Sequence, residues 1–462
     1  MLGQVLPLGL GYAVFVAMAR LITPADYGLF TLAALWIGFI SVPADLGLGV
    51  ALLRQPEVKV GLAEAAFRLT LAIGFGLTLV NIGLAYLYGL IVGYSPIVPV
   101  TAVLSLRLLT DAFTYVPTDI SQRHFRFRFL AVRDSFAILV GGTVGIVAAA
   151  RGAGVWSLVL SVLIQGTLTA TMFQFGLRRR ARRADVDWQG VRGLVPFGLQ
   201  ITYQQAFKYF TQSADSLVVG AVLGAAPLGI YRVAQRVGLD SAASLRLGIG
   251  SFLLPALASR RDAAAAKTEV VDVLRALSAV VGPLMVLVGL AADSIVVVVL
   301  GSQWRAAIPV VQILCVAGAV QLLFLPVGEV MKAAGKGAWL LWWTVGFTVL
   351  LVCAVFVGAH RGGLEGVAIG YLSGHLLALP AGLHILRLLA GVRLWELVVA
   401  LRGIAMALVC EGAAIAVSRH FTDPYSLGGL VIVVGCAAAG YLFVLRLADR
   451  GVIRYSFGRR VM

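Results

Sequence analysis

The chain is predicted to be an all-α polytopic membrane protein of about fourteen transmembrane helices. Three observations predict it. Hydrophobic residues make up 60% of the 462 residues and charged ones only 13%, with a mean hydropathy of +0.96, so there is too little polar sequence to coat a soluble globule. Apolar stretches of about 18 to 25 residues recur end to end, each long enough to cross roughly 30 Å of hydrocarbon as a helix. The chain also repeats itself at a spacing of 201 residues. Gly28-Leu29-Phe30-Thr31-Leu32-Ala33 answers to Gly229-Ile230-Tyr231-Arg232-Val233-Ala234, and Leu46-Gly47-Leu48-Gly49 answers to Leu247-Gly248-Ile249-Gly250.

Taken in order, the expected spans are Leu2 to Ala19, Phe30 to Leu52, Ala66 to Leu87, Val98 to Val116, Phe136 to Ala150 and Val155 to Phe175. These six form an N-lobe at 1–176, and a basic linker follows at 177–195. Pro196 to Leu223 opens a second set, continued by Leu228 to Leu257, Leu277 to Leu300, Ile308 to Val330, Leu340 to Val357 and Val367 to Leu388, a C-lobe at 196–390. Ile404 to Val417 and Leu427 to Leu447 add a terminal helix pair and a basic tail at 391–462. The segments beginning near Leu2 and Pro196 are an even number of crossings apart. The two pseudo-symmetric lobes therefore enter the membrane with the same orientation, as a parallel repeat.

Lys and Arg in short loops are retained on the cytoplasmic side, and here they fall heavily on one side. With Met1 cytoplasmic, that side collects Arg54, Lys59, Arg123, Arg126, Arg128, Arg133, the run from Arg178 to Arg183, Lys267, Lys332, Lys336 and the basic tail. The opposite loops hold Arg20, Arg151, Arg305, Arg361 and Arg419. Both termini are expected in the cytoplasm. The net charge of +16 is then explained by anionic membrane lipids, and no nucleic acid is expected as a partner. Ala17-Met18-Ala19 resembles a cleavage site, but no basic segment precedes it and many spans follow, so the first helix is read as retained. Cys315, Cys353, Cys410 and Cys436 all fall in apolar helices and read as packing residues. The five histidines lack metal-ligand spacing, and Gly328 with Gly335-Lys336 misses the phosphate-loop pattern in both length and final hydroxyl. No metal, no cofactor and no ATP hydrolysis are expected.

The clearest polar stripe lies on the helix from Pro196 to Leu223, where Gln200, Gln204, Lys208, Gln212 and Asp215 recur every three to four residues. Such a face cannot point at lipid. It is either a buried seam, with Lys208 and Asp215 partly compensating each other, or the wall of a solvated cavity. In the repeated helix Arg232 and Arg246 project to similar sides. Arg107 and Asp111 stand four residues apart, which allows a local ion pair, and Asp45 precedes the first Leu-Gly-Leu-Gly. Arg or Lys at a helix centre costs roughly 2.5 to 3.5 kcal/mol, so Arg107, Lys208 and Arg246 facing lipid would together cost on the order of 7 to 10 kcal/mol. They must be paired or wet. A wet cavity with three cations, amides and hydroxyls suits an anionic, hydroxyl-rich substrate such as a lipid-linked sugar phosphate. Most of the 53 glycines read as helix-packing residues, and Trp156, Trp304, Trp339, Trp342 and Trp343 as interfacial anchors.

The run Ala19-Arg20-Leu21-Ile22-Thr23-Pro24-Ala25-Asp26-Tyr27-Gly28-Leu29-Phe30, then Ala44-Asp45-Leu46-Gly47-Leu48 and Arg54-Gln55, resembles the opening of the Wzx-type polysaccharide flippases. Gln122-Arg123 with Phe127, the stretch from Asp215 to Gly220 leading to Leu228-Gly229-Ile230-Tyr231, and Gly301 to Trp304 extend the resemblance over essentially the whole chain. The chain begins almost inside its first helix, where similar proteins carry a short preceding segment. The resemblance implies the multidrug/oligosaccharidyl-lipid/polysaccharide (MOP) flippase fold, two six-helix lobes plus a helix pair, working by alternating access in a bacterial inner membrane. It also implies undecaprenyl-diphosphate-linked oligosaccharide as substrate, with polysaccharide polymerase and glycosyltransferases as functional neighbours.

On this reading cavity cations hold the diphosphate while the prenyl tail stays in lipid, and no covalent chemistry is required. The substrate-binding candidates are Arg107, Lys208, Arg246, Arg232, Gln200, Gln204 and Gln212. Asp45, Asp215 and Glu411 are candidates for ion coupling or gating. The competing readings are a multidrug or lipid II exporter of the same superfamily, sharing the helices but not the cavity chemistry, and a membrane glycosyltransferase or polymerase. The enzyme would need a substantial loop outside the membrane, and the predicted outer loops are short.

Overall fold

A computed structural model describes residues 2–181, 186–243, 245, 253, 256, 257, 263–423 and 425–448, with 2–5, 174–181, 263–265 and 447–448 described as backbone only. Every regular element among the described residues is helical. The helices α1 (Leu2–Leu21), α2 (Pro24–Ser41), α3 (Leu48–Leu53), α4 (Val60–Val92), α5 (Ile97–Leu104), α6 (Leu106–Ala112) and α7 (Tyr115–Arg123) come first. They are followed by α8 (Phe127–Ala150), α9 (Val155–Ala181), α10 (Trp188–Leu223) and α11 (Ala225–Gln235). The rest comprises α12 (Ala263–Leu290), α13 (Ile308–Gln321), α14 (Leu325–Ala333), α15 (Gly337–Ala390), α16 (Leu394–Phe421) and α17 (Leu427–Ala448). Ten helices among the described residues are long and apolar enough to cross a membrane. The expected all-helical, multi-pass class holds. The count falls short of fourteen because α10 bears the glutamine-rich stripe, because α15 is counted once for two expected spans, because α1 qualifies only as a shorter apolar helix, Leu6–Leu21, and because the expected span Leu228 to Leu257 lies partly outside the described residues.

Helix α15 illustrates the second cause. A straight helix of 54 residues would run about 80 Å, far beyond a bilayer. Gly362 and Gly363 leave helical geometry, and Gly363 takes φ 54°. The two halves, 337–361 and 364–390, then fold back on each other. A Cβ at Gly358 would strike Gly366, one at Gly370 would strike Ala354, and one at Gly374 would meet Leu351 at 3.0 Å. Small residues let the two backbones approach, as expected between transmembrane helices.

Contacts divide the chain into Met1–Gly229 and Ile230–Met462. In the first unit α2 starts on a cap in which the Thr23 hydroxyl accepts from the Asp26 N–H at 3.2 Å, with Pro24 at the first helical position. Its far end breaks. Val42–Ala44 forms a 3-10 turn containing Pro43, and Leu46 and Gly47 adopt left-handed backbone, φ 46° and 60°. The chain resumes as α3, which packs with α4, α7 and the start of α10 around Leu48, Leu52, Leu62, Ala66, Val116, Val191 and Leu194. A buried polar chain locks α2, α4 and the α5–α6 junction together. Trp36 Nε1 donates to Asn81 Oδ1 at 2.7 Å, and Asn81 Nδ2 donates to Ser105 Oγ at 2.7 Å. Gly28 and Gly229, the glycines that anchor the sequence repeat, also meet here. A Cβ on Gly229 would lie 2.8 Å from the Gly28 nitrogen, and one on Gly28 would lie 3.1 Å from the Gly229 nitrogen.

In the second unit α12 and α16 run side by side, tied at one end by Lys267 with Glu396 and at the other by Arg419 with Asp293. Helix α17 covers them, packing Tyr441 and Leu445 on Ala279, Ile404 and Ala407. Trp304, expected as an interfacial anchor, does not face outward. It is fully buried, next to the turn at Gly301, whereas Trp342 is 73% exposed.

Candidate functional site

The break in α2 opens a cavity of about 480 Å³ within the first unit. Gly38, Ser41, Val42 and Asp45 line it from α2 and the turn, Val50 from α3, Tyr115 and Asp119 from α7, and Gln205, Lys208, Tyr209 and Gln212 from α10. The α10 set follows the i, i+3, i+4, i+7 spacing that puts side chains on one helical face. Tyr115 and Asp119 are likewise one turn apart on α7.

Glycines bring the walls close enough for this. The Tyr209 ring lies against Gly38, where a Cβ would come within 2.7 Å of its Cζ, and the Tyr209 hydroxyl donates to the Leu35 carbonyl at 2.7 Å. The Asp119 carboxylate lies against Gly49, so that any Cβ there would displace it. Asp45 occupies the break itself. Its Oδ1 is buried and has no hydrogen-bond partner in the structure. Lys208 makes no ion pair among the described residues. One ammonium, two carboxylates, two amides and two phenols therefore share this cavity, a wall of mixed charge that can both donate to and accept from hydroxyl groups.

The residues singled out from sequence fall in different places. Lys208, Gln212 and Asp45 converge on the cavity. Gln200 and Gln204 are exposed on α10 outside it. Arg107 is held by Asp111, Nε to Oδ2 at 3.1 Å, within one helix. Asp215 is buried, and its Oδ1 accepts from the Ser216 N–H at 2.6 Å. In the second unit Arg232 donates to Gln235 Oε1 at 2.8 Å, and Glu411 is 2% exposed with Oε2 unpartnered. Arg246 lies outside the described residues, as do Leu247 to Gly250 of the repeat. Asp119, Tyr115, Gln205 and Tyr209 were not anticipated. The signal for Gln205 was present, one residue from Gln204. Asp119 was lost because the fourth span was ended at Val116, whereas its helical path bends at Ser105 and Phe113–Thr114 and continues to Arg123. Tyr115 lay inside that span, and nothing in its spacing set it apart from a packing aromatic.

Residues 17–309, which enclose every residue of the cavity, match the family described as polysaccharide biosynthesis protein. The chain is similar to the lipopolysaccharide biosynthesis protein WzxC of Escherichia coli strain K12, 24% identical over 377 residues, which is 80% of this chain and 76% of that one. It is also similar to the succinoglycan biosynthesis transport protein ExoT of Rhizobium meliloti strain 1021, 25% identical over 366 residues, 77% of this chain and 72% of that one. Among solved structures, the lipid II flippase MurJ in an inward closed conformation superposes with a TM-score of 0.76, covering 98% of this chain and 99% of that one at 12% identity. That likeness gives the fold.

Proposed function

Because the chain belongs to the polysaccharide biosynthesis protein family, we propose that it is a flippase for undecaprenyl-diphosphate-linked oligosaccharide repeat units, moving them from the inner to the outer leaflet of a bacterial inner membrane by alternating access. The protein is a multi-pass membrane transporter of polysaccharide biosynthesis and not an enzyme. The observation that carries the reading is that the family match encloses a polar cavity built on a broken helix, in an otherwise apolar chain. Its substrate would serve O-antigen, exopolysaccharide or capsule synthesis. Glycosyltransferases supply such units and a polymerase consumes them. In this reading both termini are cytoplasmic, and 1–176, 196–390 and 391–462 act as N-lobe, C-lobe and terminal helix pair.

Lys208 binds the diphosphate, and Gln205, Gln212 and the tyrosines bind sugar hydroxyls, while the prenyl tail remains in lipid. Arg107, Arg232, Arg246, Gln200 and Gln204 are further contacts along the translocation path. Asp45 and Asp119 share the cavity with a single lysine, so a substrate carrying two negative charges enters against two carboxylates unless these are neutralised. That conflict favours coupling, in which a proton or cation held at Asp45 accompanies the headgroup. Asp215 and Glu411 are secondary candidates. An inside-negative potential assists export by about 2.3 kcal/mol per charge per 100 mV.

The test is outward translocation of a defined undecaprenyl-diphosphate oligosaccharide by the purified protein in proteoliposomes. Transport by the wild type, lost in a folded Lys208→Ala variant, is expected. Transport of lipid II or of organic cations in place of the oligosaccharide would overturn the substrate assignment.

A further inference from the structure

A second concavity of about 370 Å³ opens beside the first, lined by Ala51, Arg54, Gln55, Gly193, Leu194 and Phe197. The Arg54 guanidinium lies 4.9 Å from the centroid of the Phe197 ring. The ring holds the cation over its face without engaging its N–H donors, and a guanidinium with donors to spare can grip an oxyanion with two parallel bonds. No carboxylate among the described residues pairs with Arg54. Its backbone is nevertheless fixed. Arg123 Nη1 donates to the carbonyls of Leu53 and Gln55 at 3.1 and 2.8 Å, and its Nη2 donates to that of Pro56 at 2.7 Å. This satisfies carbonyls at the end of α3 that would otherwise repel an anion. Space remains open on the opposite wall, where a Cβ on Gly193 would meet nothing within 4 Å.

The two concavities share their walls. Val50 of α3 lines the first cavity, while Ala51 and Arg54 line this one. On α10, Phe197 and Lys208 are eleven residues apart, about three turns and roughly 16 Å along nearly the same helical face. Resting on the flippase reading above, we propose that Arg54, held over the Phe197 ring, is an outer docking station for the phosphate ester of a lipid-anchored substrate, from which the headgroup advances along α10 to Lys208. The concavity is of the size that holds small-molecule groups. A single lysine among two carboxylates is a poor first contact for a diphosphate, and an unpaired guanidinium ahead of it supplies the missing capture step.

The experiment uses the full chain in nanodiscs and proteoliposomes, with undecaprenyl diphosphate, inorganic pyrophosphate and phosphatidylglycerol as probes. Arg54→Gln and Phe197→Ala are expected to weaken binding of undecaprenyl diphosphate and pyrophosphate about tenfold. In transport they raise the half-saturating substrate concentration and leave the maximal rate near wild type. Lys208→Gln lowers the maximal rate. Arg54→Lys, which keeps charge but loses the planar fork, falls between. Arg54 is exposed, and its variants are expected to leave the thermal unfolding midpoint unchanged. Phe197 is half-buried against the α3 core and Phe197→Ala is expected to lower it, so its binding is read on the folded fraction. Binding and half-saturation indifferent to Arg54 and Phe197, in a wild type that transports, overturn the station alone. Equal loss of phosphatidylglycerol binding identifies an ordinary anionic-lipid contact and also overturns it. A wild type that binds pyrophosphate through Arg54 but moves no oligosaccharide overturns the flippase reading and leaves the anion station standing.

Discussion

Gly47 and Gly198 meet backbone to backbone at the point where α2 breaks. A Cβ built on Gly47 would lie 2.8 Å from the Ile201 Cβ and 3.0 Å from the Gly198 carbonyl carbon, and one on Gly198 would strike the Leu46 carbonyl oxygen. The contact sets the spacing between the turn that carries Asp45 and the helix that carries Lys208. Gly198 itself is helical, so Gly198→Ala meets no left-handed strain, and the gain of up to about 1 kcal/mol in helix propensity works against the clash rather than with it. Overpacking of this kind costs about 1–3 kcal/mol. The expected outcome is a lower unfolding midpoint in detergent together with impaired transport. A raised midpoint, the helix-propensity gain without a packing cost, would show that α10 can back away from the break freely.

Much of this was legible in the sequence, and what was not has a physical cause. Lys208, Gln212 and Asp45 stood out because a polar group in an apolar helix has no lipid-facing solution, and Arg107 with Asp111 was readable as a local pair at 3.1 Å. The break at Leu46–Gly47 was hidden. Leu-Gly-Leu-Gly is equally suited to close helix packing, and only the left-handed backbone, φ 46° and 60°, distinguishes the two. Asp119 was hidden by the same limitation, since hydropathy does not report that a span bends and continues.

Asp119 gives the second prediction. Its carboxylate faces the same cavity as Asp45 and packs on Gly49. If the pair holds the coupling proton or cation, Asp45→Asn and Asp119→Asn each abolish the response of transport to an imposed ion gradient while substrate binding persists. Gradient-dependent flux measured in proteoliposomes decides it, and an intact response in both variants removes the pair from the coupling step.

Removing the phenol in Tyr209→Phe deletes the 2.7 Å bond to the Leu35 carbonyl and keeps the ring against Gly38. A net hydrogen bond of this kind is worth about 0.5–1.5 kcal/mol. A small drop in the unfolding midpoint is expected, with a rise in half-saturating substrate concentration as the cavity wall loosens. A drop in stability with unaltered transport kinetics would make Tyr209 a structural tether only.

Asn81 links Trp36 to Ser105 in the buried chain that holds α2 against α4, and it is completely inaccessible to solvent. Asn81→Leu leaves the indole N–H without its acceptor in an apolar setting, at a cost of about 1–3 kcal/mol. Asn81→Asp keeps an acceptor for Trp36 but loses the donor to Ser105 and introduces a buried charge, so it is expected to be at least as damaging. Thermal unfolding of both variants checks the order.

Glu411 reverses the usual direction. It is 2% exposed on α16 with Oε2 unpartnered, and neither 276–290 of α12 nor 427–445 of α17, the helices packed on it, contains a charged residue. A carboxyl in that setting is a liability to folding, because its desolvation is not repaid by a cation or a full set of hydrogen bonds. Glu411→Leu is therefore expected to raise the unfolding midpoint, corresponding to about 1–3 kcal/mol of added stability, and Glu411→Gln to leave it near wild type. Transport separates a structural remnant from a working group. If Glu411 takes part in coupling, the stabilised leucine variant loses gradient-driven flux, and if it retains full flux the residue has no part in the cycle.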